Sequence, residues 1–230
     1  MNRSEFLNQL SEVKQLINNA GGNILSETVT EPANKNDVEQ LEQAYNVRLP
    51  EDFVFYLTNV AAEVDVRWSF NRDTMLSTIK SLPTFLNRFN AIYSGSLIWS
   101  LNTLTSNIDY FKRFNPNGVV LRNSCAVTEE DEFIGTLAIC EVPCGDEIRM
   151  NLAAPTQEKP IFYLGHDDSD NSLIQLAPSF DAYVTQLLGI ALVGSEIEQQ
   201  LAFIPDKSSG LNCKSKNALL WMDYLNKFIN

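Results

Sequence analysis

The side chains in this sequence that could take part in chemistry are mostly carboxylates, and they occur in two short runs. Glu129-Glu130-Asp131-Glu132 forms the first run, and Asp167-Asp168-Ser169-Asp170 forms the second. Glycoside hydrolysis needs two carboxylates that flank one bond. Four consecutive acids in a loop point in several directions and repel one another. The first run therefore predicts a solvated acidic segment rather than an acid–base pair.

The second run invites comparison with a calcium loop, since a hard cation prefers oxygen ligands at alternate positions. An EF-hand register that starts at Asp168 places Leu173 where glycine is required and Ser179 where a bidentate glutamate belongs. A register that starts one residue earlier fails in the same way. The sequence favours a polar turn between two strands, with weak incidental metal binding as the alternative.

Nucleophilic and metal chemistry have few candidate residues. His166 is the only histidine, and it lies in the turn-like segment Gly-His-Asp-Asp. A zinc site is possible from His166 with Cys125, Cys140 and Cys144, but these residues lack the spacing of a zinc motif, so we expect reduced, buried or half-buried thiols instead. The sequence contains no Gly-x-Gly-x-x-Gly, P-loop or Gly-x-Ser-x-Gly motif. It thus predicts no cofactor, no metal and no enzymatic activity, and an enzyme or small-ligand binder that uses the loops at the strand ends is the alternative ranked last.

Charge is distributed unevenly along the 230 residues, whose formal net charge is −12. Residues 129–181 hold twelve acidic side chains against Arg149 and Lys159, a net of −10, whereas residues 1–128 carry only −2. A field of this sign repels nucleic acid and anionic membrane surfaces and attracts basic partners. Solubility alone is the alternative explanation.

The N-terminus and the hydrophobic pattern bear on localisation. The segment after Met1 has no unbroken apolar run of the kind a secretory signal needs. No window approaches the roughly 18–20 apolar residues that span a bilayer. We therefore expect a cytoplasmic protein that contacts neither membrane nor nucleic acid.

Helical and strand patterns both occur. Ser4 is a candidate cap for a helix that carries Phe6, Leu10, Val13 and Ile17 at helical spacing. Pro50, Glu51 and Asp52 favour a helix start, and a buried face follows from Phe53. Residues 119–176 are rich in strand patterns and predict an antiparallel meander. A helix opened by Pro178 follows, and residues 190–230 look like an appended loop and helix.

Four short motifs in order resemble the SUKH superfamily, named after fungal cell-wall assembly regulators of the Smi/Knr type. The first is the helix and turn Leu-Glu-Gln-Ala-Tyr-Asn-Val-Arg-Leu-Pro-Glu-Asp-Phe, which ends at Phe53. The other three are the Gly-Asp turn at 145–146, the strand with a His-Asp turn at 161–167, and the Ala-Pro-Ser-Phe-Asp-Ala-Tyr-Val helix start at 177–184. The resemblance covers about residues 30–190.

The resemblance implies an α+β fold, with a mixed, mainly antiparallel sheet and flanking helices. It implies a single domain over residues 1–230, with a core of about 30–190 and a C-terminal helical extension. Bacterial relatives are commonly immunity proteins that neutralise a toxin, often a nuclease, whereas fungal relatives are regulatory interaction hubs with disordered flanks. Since this chain lacks such flanks, we expect an immunity protein that binds a basic toxin domain, with a regulatory or scaffolding module as the alternative. The expected contact residues are acidic: Glu129, Glu130, Asp131, Glu132, Asp146, Glu147, Asp167, Asp168 and Asp170.

Overall fold

Seven strands and the helices around them make up the described part of the fold. The computed structural model describes residues 1–71, 73, 92–104, 106, 136–142, 145–152, 154, 157–164, 174–194, 197–206 and 209–228. The strands form two antiparallel sheets, with the orders β1-β2-β3 and β4-β5-β6-β7. Their bounds are β1 Gly22–Val29, β2 Glu63–Phe70, β3 Ser94–Ser100, β4 Thr136–Glu141, β5 Glu147–Asn151, β6 Ile161–Leu164 and β7 Ile174–Ala177.

Helices precede, separate and follow these sheets, so the predicted α+β class with antiparallel pairing is confirmed. None of the helices in the described ranges is both long and apolar enough to cross a bilayer. The helices are α1 Arg3–Asn19, α2 Lys35–Tyr45, α3 Glu51–Asn59, α4 Phe180–Gly189, α5 Ile197–Gln200, a 3-10 turn at Leu201–Phe203 and α6 Lys216–Asn226.

Helix α1 begins two residues earlier than a cap at Ser4 would allow, because Asn2 is the cap, so that prediction is wrong. The side chain of Asn2 accepts a hydrogen bond from the backbone N–H of Glu5, and the Glu5 carboxylate accepts one from the backbone N–H of Asn2, both at 3.0 Å. This reciprocal capping box satisfies two backbone donors that the helix leaves unpaired. The predicted apolar stripe from Phe6 to Ile17 is buried as expected.

The centre of the core is a cluster of aromatic rings contributed by α1, α3, β3 and α4. The ring of Phe180 lies 4.5 Å from that of Phe53, 5.2 Å from that of Tyr56 and 5.5 Å from that of Trp99. Phe6 of α1 packs on Trp99 at 5.6 Å. Most of these pairs meet edge to face, which adds to the free energy of area burial. Two of the short motifs in the sequence, around Phe53 and around Phe180, therefore pack directly on each other.

The segment after α4 fastens the C-terminal region to the first sheet. Ala191 and Leu192 are fully buried and have positive φ angles of 55° and 58°. The indole N–H of Trp68 donates to the Ala191 carbonyl at 2.9 Å, and the backbone N–H of Ser96 donates to the Leu192 carbonyl at 2.9 Å. These contacts hold an otherwise unfavourable backbone conformation in place.

Gly95 of β3 is required by this packing. A Cβ atom at Gly95 would lie 2.1 Å from the Leu192 carbonyl oxygen and 2.3 Å from the indole nitrogen of Trp68.

Helix α6 adds Trp221, which is fully buried and donates its indole N–H to the Ile190 carbonyl at 3.1 Å. The described residues from Ile190 onwards thus contribute side chains to the same core as the other described parts of the chain.

Candidate functional site

Asp146 and Glu147, two of the acids predicted to contact a partner, lie together where β5 begins. Glu147 pairs with Glu141 of β4 on one side and with Leu164 of β6 on the other. The Tyr163 hydroxyl donates a hydrogen bond to the Asp146 carboxylate. The two acids therefore share one end of the second sheet, and both are half-buried.

Glu147 is an ion-pair partner of Arg149, an arginine whose side chain is only 2% exposed. The Arg149 guanidinium also donates to the Thr136 hydroxyl at 2.8 Å and to the Thr136 carbonyl at 3.2 Å. A buried charge is tolerated only when it is paired and hydrogen-bonded. Glu147 thus supports the sheet in addition to any role at the surface, with 24% of its side chain exposed.

The other predicted contact residues fall outside the described part of the chain. They are Glu129, Glu130, Asp131, Glu132, Asp167, Asp168 and Asp170. The alternative zinc ligands Cys125, Cys144 and His166 also fall outside it. Within the described ranges, no group of three or more His, Cys, Asp or Glu side chains could hold a metal ion.

Cys140, the remaining member of that zinc hypothesis, is a buried free thiol in β4. Burial raises the pKa of the Cys140 thiol to about 12, and a backbone hydrogen bond with Ile148 acts in the opposite direction. Thiolates are the reactive and metal-binding form of cysteine. At neutral pH this side chain is therefore an inert, protonated core residue.

A second acidic region lies at the opposite end of the second sheet, where α3 and α4 begin. The Asp52 carboxylate accepts a hydrogen bond from the backbone N–H of Asp181 at 3.1 Å. The buried Tyr56 hydroxyl donates to the Asp181 carboxylate at 2.8 Å, and the amino group of Met1 lies 3.3 Å from the same oxygen. Acids at helix N-termini are stabilised by the positive end of the helix dipole.

The environment of Tyr56 keeps its hydroxyl protonated. Burial raises the pKa of this phenol well above its usual range, and the hydrogen bond to Asp181 and the charges of Asp181 and Asp52 act in the same direction. The hydroxyl consequently stays a donor throughout the neutral range. It ties the Leu-Pro-Glu-Asp-Phe turn to the start of α4.

The outer side of α3 carries exposed residues that the sequence prediction did not assign to a site. Glu51 and Phe55 are one turn apart on this side, and Phe55 is 41% exposed while its neighbour Tyr56 is fully buried. The Gln157 amide donates to the Glu51 carboxylate at 3.2 Å, which brings the β5–β6 connection beside α3. The helical spacing of buried Phe53, Tyr56 and Leu57 already placed Phe55 on the opposite side, and this is the signal that could have identified it.

The negative charge of residues 1–71 does not stand out when charge is summed over residues 1–128, because residues 72–128 are basic. Residues 1–71 hold eleven acidic and five basic side chains, a net of −6, whereas residues 72–128 hold two acidic and six basic side chains, a net of +4. Several of the acids in the first range are exposed on α1, α2 and α3. They are Glu5, Glu12, Asp37, Glu39 and Glu51.

The chain matches a known protein family over about two thirds of its length. A family model described as the SMI1 / KNR4 family (SUKH-1) matches residues 32–186. The match includes the turn at Pro50 and the start of α4 at Phe180, which pack on each other in the core. No curated protein matches the chain significantly.

Proposed function

Since the chain belongs to the SMI1 / KNR4 (SUKH-1) family, we propose that it is an immunity protein that binds and neutralises a cognate toxin domain. The proposed toxin is basic and nuclease-like, and it is held through an acidic surface. The observation that carries the proposal is the net charge of −12 in a chain of this family. The protein acts by binding and not by catalysis.

The physical basis is electrostatic complementarity between inhibitor and toxin. A nuclease must attract phosphates, so the cleft that holds its substrate is positively charged. An inhibitor with an acidic surface is steered towards that cleft, and the same charge keeps the inhibitor away from nucleic acid. The acids proposed to contribute are Glu129, Glu130, Asp131, Glu132, Asp146, Glu147, Asp167, Asp168 and Asp170.

The described contacts of two of these acids refine their proposed role. Glu147 already pairs with Arg149, and Asp146 already accepts from Tyr163. We expect both to act mainly through their charge while they keep these bonds. The runs 129–132 and 167–170 contribute direct contacts with the toxin.

Co-purification with the C-terminal domain encoded by the neighbouring upstream gene tests the proposal. We expect a stable one-to-one complex that dissociates faster at high salt, because the attraction between charged surfaces is screened. Neutralising Glu129 to Glu132 with glutamine and asparagine should weaken the complex. Replacing the exposed Asp223 of α6 with asparagine is the matched control and should leave binding unchanged.

The opposite result would change the proposed class. If no complex forms and the neighbouring domain is harmless to cells, the immunity hypothesis fails. A regulatory or scaffolding module that binds a different protein would then be the better hypothesis.

A further inference from the structure

Phe55 is an exposed aromatic residue on the outer side of α3, a helix whose inner side is buried in the core. Its ring is 41% exposed, whereas Phe53, Tyr56 and Leu57 of the same helix are fully buried. Exposed aromatic side chains of this size are enriched at the centres of protein interfaces, whereas leucine is under-represented among the residues that dominate binding. Phe55 thus differs in kind from the exposed leucines Leu25 and Leu219.

We infer that the outer side of α3 is a docking surface for the basic partner, with Phe55 inserted into that partner as an apolar anchor. This α3 surface consists of Glu51, Phe55, Asn59 and Gln157. The inference rests on the proposed function, because it assigns where the proposed toxin makes contact.

The residues of the α3 surface form a continuous strip. Glu51, Phe55 and Asn59 are spaced one turn apart, and the Asn59 amide donates to the Phe55 carbonyl at 3.1 Å. Gln157 extends the strip sideways through its 3.2 Å contact with Glu51. An aromatic ring between polar side chains has the layout of an interface centre with a polar rim.

The charge of the α3 surface determines what kind of partner can bind there. Glu51 is exposed, and Asp52 and Asp181 lie half-buried at the same end of the helix. Residues 1–71, the range of the chain that contains α3, carry a net charge of −6. A partner with basic side chains around an apolar pocket fits this surface, whereas an acidic partner or a nucleic acid is repelled.

Helix α3 also holds the anchor rigidly. Phe53 packs on Phe180 at 4.5 Å, and Asp52 and Tyr56 both bond to Asp181. A side chain presented by a fixed helix loses little conformational entropy when it binds. The packing that defines the fold therefore also orients Phe55.

The exposed fraction of the ring sets the expected effect of removing it. An aromatic side chain presents roughly 200 Å² in total, so the exposed 41% amounts to roughly 80 Å². At about 25 cal/mol per Å², burying this area changes the dissociation constant by about 30-fold. We expect Phe55→Ala to weaken binding by about 10- to 30-fold.

Phe228 provides a matched control. It is 40% exposed, packs edge-on against Tyr224 at 5.3 Å and follows Lys227 rather than an acid. Phe228→Ala should change the dissociation constant by less than about twofold, since surface substitutions away from an interface have small effects. Glu51→Gln should slow association and reduce the dependence of binding on salt.

The experiment combines titration calorimetry and stopped-flow association, each at low and high salt, for the wild type and these three variants with a catalytically inactivated form of the neighbouring gene's C-terminal domain. A dissociation constant about 10- to 30-fold higher for Phe55→Ala, with Phe228→Ala unchanged and the melting temperatures of both variants preserved, supports the α3 surface. If Phe55→Ala and Phe228→Ala bind with equal affinity, the inference about the α3 surface is refuted, but the proposed immunity function stands. If the wild type itself fails to bind, the proposed function and this inference both fail.

Discussion

The hydrogen bond between Tyr56 and Asp181 allows a quantitative test of how strongly the N-terminal parts of α3 and α4 stabilise each other. Tyr56→Phe removes the hydroxyl that donates at 2.8 Å and keeps the ring that packs on Phe180. Hydrogen bonds to charged groups contribute about 1.5–3 kcal/mol. Because the Asp181 side chain is 48% exposed and water can replace the phenol, we expect a loss of about 1.5 kcal/mol.

Asp181→Ala should be more damaging, because it leaves the hydroxyl of Tyr56 without this acceptor in the core. The desolvation cost is about 1–3 kcal/mol, and the lost charge at the N-terminus of α4 adds about 0.3–1 kcal/mol. The ion pair with the Met1 amine is part-buried, but the Asp181 side chain is 48% exposed, so the pair adds little. We therefore expect a total of about 2–3 kcal/mol for this variant.

The double variant distinguishes a direct bond from two independent effects. If the bond is direct, the two losses are not additive, and the coupling should be about 1 kcal/mol. Urea unfolding of the four proteins in the cycle measures it, provided that the slope of the transition is unchanged. The pair Tyr56→Phe and Asp223→Ala, on separate helices, should be additive. A coupling within about 0.3 kcal/mol of zero for Tyr56 and Asp181 would refute the argument.

Three further predictions concern the core. Gly95→Ala should lower the unfolding free energy by about 3 kcal/mol or more, measured by urea unfolding, because its Cβ would lie 2.1 Å from the Leu192 carbonyl oxygen. Trp68→Phe should cost about 2 kcal/mol in the same assay through loss of the 2.9 Å bond to Ala191, and an unchanged midpoint would contradict this. Since burial raises the pKa of the Cys140 thiol from 9.0 to about 12, the folded state retains a proton that the unfolded chain releases. The wild type should therefore lose more stability than Cys140→Ala as pH rises from about 9 towards 12.

Much of the fold could be predicted because its helices carry one clear apolar face. The stripe from Phe6 to Ile17 and the stripe from Phe53 to Leu57 are both buried as predicted. The strand pattern of residues 119–176 also predicted antiparallel pairing, which β4 to β7 show. The bulge between Ile24 and Ser26, where the register of β1 shifts, was not predicted. Periodicity depends on side-chain burial, and a bulge is a local backbone event that leaves most of the pattern intact.

Other features depend on tertiary contacts that no local pattern contains. Ala191 and Leu192 adopt positive φ, which single residues of these types rarely do, and the contacts of Trp68 and Ser96 explain why they do so here. The cap at Asn2 was missed because Ser4 is also a good capping residue, and only the reciprocal bond with Glu5 decides between them.

The candidate site was predicted only in part, for an electrostatic reason. Counting charge over residues 1–128 combined an acidic range, residues 1–71, with a basic range from 72 to 128, so the net charge of −6 of the first range did not stand out. The role of Asp146 and Glu147 as partner contacts stays a prediction, and their bonds to Tyr163 and Arg149 could not be read from sequence. The bond between Asp146 and Tyr163 joins residues that become close only when β5 and β6 pair. Glu147 and Arg149 lie two residues apart in β5, and their ion pair depends on the burial of the Arg149 side chain.

The burial of all three tryptophans gives the protein an internal optical reporter. Trp68, Trp99 and Trp221 are at most 1% exposed, and each donates its indole N–H to a backbone carbonyl at 2.9–3.1 Å. An indole shielded from water emits at shorter wavelength than one in solvent, so unfolding should shift the fluorescence to the red. Because the α3 surface contains no tryptophan, a substitution there leaves this emission unchanged unless it damages the core. A single spectrum of each variant before mixing therefore separates a lost contact from a lost fold.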